Sequence, residues 1–199
     1  MGIPKSITRE HALQTLAEIE PEAIISKREA TKRARYWKVA PGWNAVYWDT
    51  VWVPQSIASV NYTELTEYYF ERLQNAPDLE SFRLELQKIA NENPTNPAYD
   101  YLRKPGTFQI QSEMFWKFTH EVKEGDYIIA NKGIKKILGI GIVRSSIKIN
   151  RQLEQPFYRD LDWIVTGDMV EKPNSVKGNW QKAIIELPKD DFETIYQLL

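Results

Sequence analysis

YIIANKGIKKILGIGIV, residues 127–143, decides how this chain is folded. Two apolar runs of strand length, 127–131 and 137–143, are rich in isoleucine and flank a polar Lys-Gly turn, so the stretch reads as a β-hairpin. In its second arm Leu138, Ile140 and Ile142 point to one face, and Gly139 and Gly141 leave the other face bare. Paired glycines admit a close neighbour to the backbone, whether a helix, a bend at a barrel corner or a ligand. In the first arm Asn131 shares a face with Tyr127 and Ile129. Its carboxamide suits either of two tasks, pairing with the edge of a base or capping the Asn-Lys-Gly turn.

Outward from the hairpin, four more segments have strand character: YWKVA at 36–40, stopped by Pro41-Gly42; SIASV at 56–60; DLDWIV at 160–165; and KAIIEL at 182–187. About six strands in succession, without alternating helices, argue for an α+β fold built on an antiparallel sheet or small barrel, not a doubly wound sheet. The helices fall elsewhere. One is expected at 6–20, with Ser6 or Thr8 as cap and Leu13, Leu16 and Ala17 on one face. A short aromatic helix fits 43–52, where Trp48, Val51 and Trp52 share a face. Residues 63–105 read as a helical insertion, with Asp78 starting one of its helices. A helix at about 108–121 carries the stripe Phe108, Phe115, Phe118, Val122, and the last helix, from Asp190 or Asp191, carries Phe192, Ile195, Tyr196 and Leu199. The expected division is a helical appendage with a basic linker at 1–35 and one domain at 36–199 containing the insertion.

Composition excludes several chemistries. Hydrophobic residues make up 42% and charged residues 27%, ordinary values for a globular protein. No apolar run has membrane-spanning length, and MGIPKSITREHALQ at the N-terminus lacks a signal-peptide core, so a cytoplasmic location with no membrane partner is expected. There is no cysteine, and His11 and His120 are the only histidines, which removes thiolate and histidine-rich metal sites. No metal or cofactor is expected. Phosphate-loop, dinucleotide and nucleophile-elbow motifs are missing. Pro77-Asp78 and Glu121-Val122-Lys123 imitate the spacing of a metal-dependent nuclease. That pattern is short, and Glu121 and Lys123 sit at a helix end where surface charge is common. The chain therefore reads as a binding protein, with such a nuclease as the alternative from another class.

Charge and aromatics say what is bound. The net charge is −1, but residues 27–38 hold Lys27, Arg28, Lys32, Arg33, Arg35 and Lys38 against Glu29 alone. Lys132, Lys135 and Lys136, followed by Arg144, Lys148 and Arg151, form a second basic group. Seven tryptophans are present, and Trp37, Trp43, Trp48 and Trp52 lie within sixteen residues. Because a buried indole N–H needs a partner, this density suggests a pocket or stacking platform, although each ring alone also suits a core. Trp116 lies off the Phe115 stripe, beside Ser112 and Thr119, which favours a ligand. Trp163 alternates with Asp160 and Asp162 together with Leu161 and Val165, which favours the core.

The order WKVAPGWNAVYWDTVW (37–52), SIASVNYTEL (56–65) and MFWKFTHEVKEGDYIIANKGIKKILGIGIV (114–143) resembles the EVE-like domains at the N-termini of McrB-type restriction GTPases, over roughly 36–165. The resemblance implies a PUA-like fold, a small curved β-barrel surrounded by helices and related to YTH readers. It also implies recognition of a methylated base flipped from double-stranded DNA into an aromatic cage. Carried over by position, the pocket comprises Ser59, Asn61, Tyr62, Ser112, Trp116 and Asn131, with Trp37 and Trp48 added from the aromatic cluster. Lys132, Lys135, Lys136, Arg144, Arg33, Arg35 and Lys38 would contact phosphates at the rim. Relatives often have Gly-Trp-Asp where this chain has Val60-Asn61-Tyr62, so Tyr62 is cast as the replacement cage wall. RNA is the alternative nucleic acid. The GTPase motor of such systems is not within these 199 residues, so an AAA+ GTPase and a nuclease subunit are the expected partners.

Overall fold

The computed structural model describes residues 34–199, so the expected helix at 6–20 and Arg33 lie outside the described residues. The strands are β1 (Tyr36–Val39), β2 (Ile57–Val60), β3 (Tyr127–Lys132), β4 (Lys136–Val143), β5 (Lys148–Ile149), β6 (Phe157–Glu171) and β7 (Ile184–Leu187). Their order is β2-β6-β4-β3-β1-β7, with β5 paired to β6. The α-helices of four or more residues are α1 (Glu67–Gln74), α2 (Leu79–Glu92), α3 (Asp100–Arg103), α4 (Pro105–Trp116) and α5 (Lys189–Tyr196), and shorter or irregular helical turns include Trp43–Ala45, Trp48–Trp52 and Lys117–Glu121. The fold is α+β, as expected. One pairing departs from the antiparallel reading: β1 runs parallel to β3, with Val39 opposite Ala130. Parallel neighbours need a long crossover, which the chain between Ala40 and Asp126 supplies.

The described chain forms two compact units. The first contains residues 34–58, 124–145 and 160–199. Its center is the β3–β4 hairpin, antiparallel, with Ile129 opposite Ile140. On one face Ile129, Ile137 and Ile140 pack with Val176, Trp180, Ile185 and Leu187 and with Phe192 and Ile195 of α5. Tyr196, expected on that helix's buried stripe, is instead 47% exposed. On the bare glycine face stand the protein's own tryptophans. A Cβ at Gly139 would lie 2.4 Å from the Val165 carbonyl oxygen and 2.8 Å from the Trp48 ring, and one at Gly141 would lie 2.9 Å from the Trp163 ring. The register against β6 shifts beside both glycines, so a local bend accompanies the close packing.

The second unit contains residues 59–123 and 146–159. Phe70 and Leu73 of α1, Phe82, Leu86 and Ile89 of α2, and Phe108 and Phe115 of α4 share its core with Tyr62, Tyr99, Leu102 and Phe157. Asp78 caps α2 by accepting from Ser81 N at 2.7 Å. The helix that continues α4 ends on Arg159, a buried guanidinium donating to the Phe118 and Thr119 carbonyls at 3.0 Å each. It satisfies groups that a helix C-terminus leaves unpaired and places positive charge at the negative end of the dipole.

Candidate nucleic-acid interface

In the first unit the strand directions bring several sequence-predicted residues to one end of the sheet. Because β1 and β3 are parallel, Pro41-Gly42 and Lys132 leave the sheet on the same side, where β4 starts at Lys136 and β7 starts at Ile184. Asn131 sits at this end, 2% exposed. Its Nδ2 donates to the Gly133 carbonyl at 2.6 Å, so it does cap the turn. Its Oδ1 is the buried side-chain oxygen that has no hydrogen-bond partner among the described residues. An enclosed unpaired acceptor costs about 1–3 kcal/mol, which makes it a marked feature of a native site. Lys135 is exposed, Lys132 half-buried, and Lys136 pairs with Glu171 at 2.6 Å.

The other predicted phosphate ligands of this unit lie elsewhere. Arg35 and Arg144 stand at the opposite end of the sheet, where Arg35 grips both carboxylate oxygens of Glu186 at 2.6 Å and Arg144 pairs with Asp162 at 2.6 Å. Lys38 offers no surface to a phosphate. It is fully buried, and its Nζ donates to the carbonyls of Trp180, Lys182 and Ala183. Burial lowers its pKa to about 8, so the ammonium form that these carbonyls need still dominates at neutral pH.

Trp37 and Trp48, both assigned to the pocket, are packed inside this unit. Trp37 is 0% exposed and donates its indole N–H to Asp126 Oδ2 at 2.8 Å, while the Arg35 guanidinium lies 4.4 Å above its ring. The Gly125-Asp126 turn is thereby fastened to β1, because Asp126 Oδ1 also accepts from Arg35 N at 2.9 Å. Trp48 meets Trp163 edge to face at 4.7 Å, and Trp163 donates its indole N–H to the Trp52 carbonyl at 3.1 Å. Trp43, left out of the predicted pocket, is 92% exposed, more than any other large apolar side chain among the described residues. The available signal was its position off the face shared by Trp48, Val51 and Trp52.

The remaining predicted residues belong to the second unit. Tyr62 is buried, stacked on Phe115 at 3.9 Å, and donates to the Gln111 carbonyl at 3.0 Å. Burial raises its phenol well above the ordinary range, so it acts as a neutral core donor. Ser112 accepts from Arg83 Nε at 3.1 Å, and Ser59 donates to Gln155 Oε1 at 2.8 Å. Asn61 is exposed and accepts from Thr63 N at 3.3 Å. Trp116 is half-buried. It stacks on His120 at 4.0 Å and meets Phe82 edge to face at 5.5 Å. Burial lowers the His120 pKa, which keeps a neutral ring beside the indole at pH 7. Among the described residues no group of three His, Cys, Asp or Glu side chains could hold a metal ion, and no helix is long and apolar enough to cross a membrane.

These features define an α+β domain with a tryptophan, lysines and an unpaired buried amide oxygen at one end of a mixed sheet. Residues 78–188 match a domain of unknown function, DUF8426, and the chain belongs to that family. No curated protein matches the sequence. Among solved structures it is similar to the YTH domain of the Zygosaccharomyces rouxii MRB1 protein, determined in complex with N6-methyladenosine RNA. The identity is 11%, over 83% of this chain and 86% of that one, and the TM-score is 0.41.

Proposed function

We propose that this chain is a non-enzymatic reader of methylated bases in nucleic acid, with DNA as its carrier. The observation that carries the reading is Asn131 Oδ1, a buried acceptor lacking a donor, within the ANKG…KILGIG segment whose resemblance to modified-base readers singled it out. Its chemistry fits an exocyclic amino group. Adenine methylated at N6 keeps one N–H, and cytosine methylated at C5 keeps two, so either base can fill the vacant bond. Since Oδ1 is enclosed, binding includes a shift of the adjoining Gly133–Lys135 turn. Lys132 and Lys135 at the same end supply phosphate contacts. In this reading the domain serves a modification-dependent restriction system and passes bound DNA to a separate GTPase motor and nuclease.

The test is a fluorescence-anisotropy panel of duplexes carrying N6-methyladenine, 5-methylcytosine or no modification, with RNA strands of the same sequence as competitors. At least one modified duplex should bind several-fold more tightly than the unmodified one, and Asn131→Ala should erase that difference. Trp116→Ala, run separately, asks whether the half-buried indole of the second unit also contributes. Equal affinity for every duplex sinks the reading, and preferential capture of methylated RNA transfers it to RNA.

A further inference from the structure

Trp43 is 92% exposed and Val46, three residues on, is 57% exposed, although an indole in water forgoes a large hydrophobic gain. The segment that presents them is firmly held. Gly42 N donates to the Ala40 carbonyl at 2.9 Å, Val46 N to the Trp43 carbonyl at 3.1 Å and Tyr47 N to the Pro41 carbonyl at 3.1 Å. Gly42 has φ 75°, and a Cβ there would lie 2.4 Å from the Tyr47 ring, so only glycine fits. Asn44 and Ala45 follow with φ 51° and 59°, the left-handed region that side chains other than asparagine seldom adopt. Ala45 is nevertheless buried. The backbone thus accepts strain at Ala45 while holding an indole outward, a combination associated with functional segments.

Position supplies the partner. The Trp43–Ala45 turn lies against β3, at the sheet end that bears Lys132 and Lys135. A flat π surface in water at a sheet end that carries lysines matches an unpaired nucleobase flanked by phosphates better than it matches an apolar protein surface. We infer that Trp43 is a stacking side chain for a nucleobase, with Lys132 and Lys135 on the neighbouring phosphates. This rests on the nucleic-acid reading above but concerns a contact that every base can make, methylated or not.

The experiment compares the full chain with Trp43→Ala and Trp43→Phe, using a duplex with one N6-methyladenine, its unmodified counterpart and an oligothymidine strand. Trp43→Ala should weaken binding of all three by about five- to hundredfold, the range for loss of one base stack. The ratio between modified and unmodified duplex should stay unchanged, and Trp43→Phe should recover most of the affinity. Acrylamide quenching of tryptophan fluorescence should fall when DNA binds to the wild type and change little in Trp43→Ala. Lys132→Ala and Lys135→Ala should each reduce the slope of log affinity against log salt by about one. If the wild type discriminates methylated DNA while Trp43→Ala binds all three probes as well as the wild type, the stacking inference falls and the reader stands. If the wild type binds none of them, both fall.

Discussion

Lys38 permits a test of the fold that needs no ligand. In the unfolded chain its ammonium has the ordinary value of 10.5, and in the fold burial takes it to about 8. At about 1.4 kcal/mol per pH unit, the buried charge costs about 3 kcal/mol at neutral pH. Between these two values the unfolded chain holds more protons than the folded one, so the stability of the wild type must rise with pH across that window. Integrated from pH 7.5 to 9.5 the gain is about 2 kcal/mol. Lys38→Met keeps a long apolar stem and removes the titration. It also deprives the Trp180, Lys182 and Ala183 carbonyls of their donor, a loss of similar size that does not vary with pH. The free energy of unfolding, taken from urea titrations of both proteins at several pH values, is therefore best compared as a difference. That subtraction cancels other groups, including Tyr127, whose burial-raised phenol acts in the opposite direction at the alkaline end. The wild type should gain about 2 kcal/mol on the variant between pH 7.5 and 9.5. A difference that stays flat would refute the buried ammonium and with it the packing of the 180–183 segment on β1.

Gly139→Ala should lower stability by about 3 kcal/mol in urea, because the new methyl meets a backbone oxygen that cannot yield as well as the Trp48 ring. Gly106→Ala, at a helical site with nothing near the added carbon, should be neutral or slightly stabilising, and equal losses at both positions would discredit the tryptophan packing. Asp78→Ala should lower the urea midpoint at pH 7 through loss of the α2 cap. Since the cap hydrogen bonds hold this carboxylate below its ordinary 3.8, its contribution is present above that value and is lost as pH falls through the lower folded one. The gap between the two proteins should accordingly close in acid, and a gap of constant width would contradict the cap.

Local chemistry made much of this molecule legible in its sequence. Alternation and turn residues located the β3–β4 hairpin, and Asp78 announced the start of α2, because each depends on neighbours within a few residues. Glycine alternation at 139 and 141 was also readable, but which group would fill the bare face was not, since Trp48 and Trp163 come from distant segments. The same limit hid the parallel β1–β3 pairing. It also hid the fate of Lys38, whose three carbonyl acceptors lie more than 140 positions away along the chain. The resemblance assigned two basic groups, one ending at Lys38 and one starting at Lys132, to a single phosphate-binding rim, whereas strand direction sends Arg35 and Lys132 to opposite ends of the sheet. Among the aromatics, periodicity set Trp116 off the Phe115 stripe, and it is half-buried whereas Phe115 is fully buried. Tyr62 was cast as a cage wall for want of any local sign of its stacking on Phe115.

Both neighbours of β1 belong to the second half of the chain. Arg35, which leads into β1, reaches the Asp126 turn across 91 positions and Glu186 of β7 across 151. A ribosome therefore releases Trp37 and Val39 long before either neighbour exists, and β1 waits as an unpaired apolar edge until β3 emerges. Assembly of this sheet cannot be completed before β7 has been made, and its rate is governed by the closure of long loops.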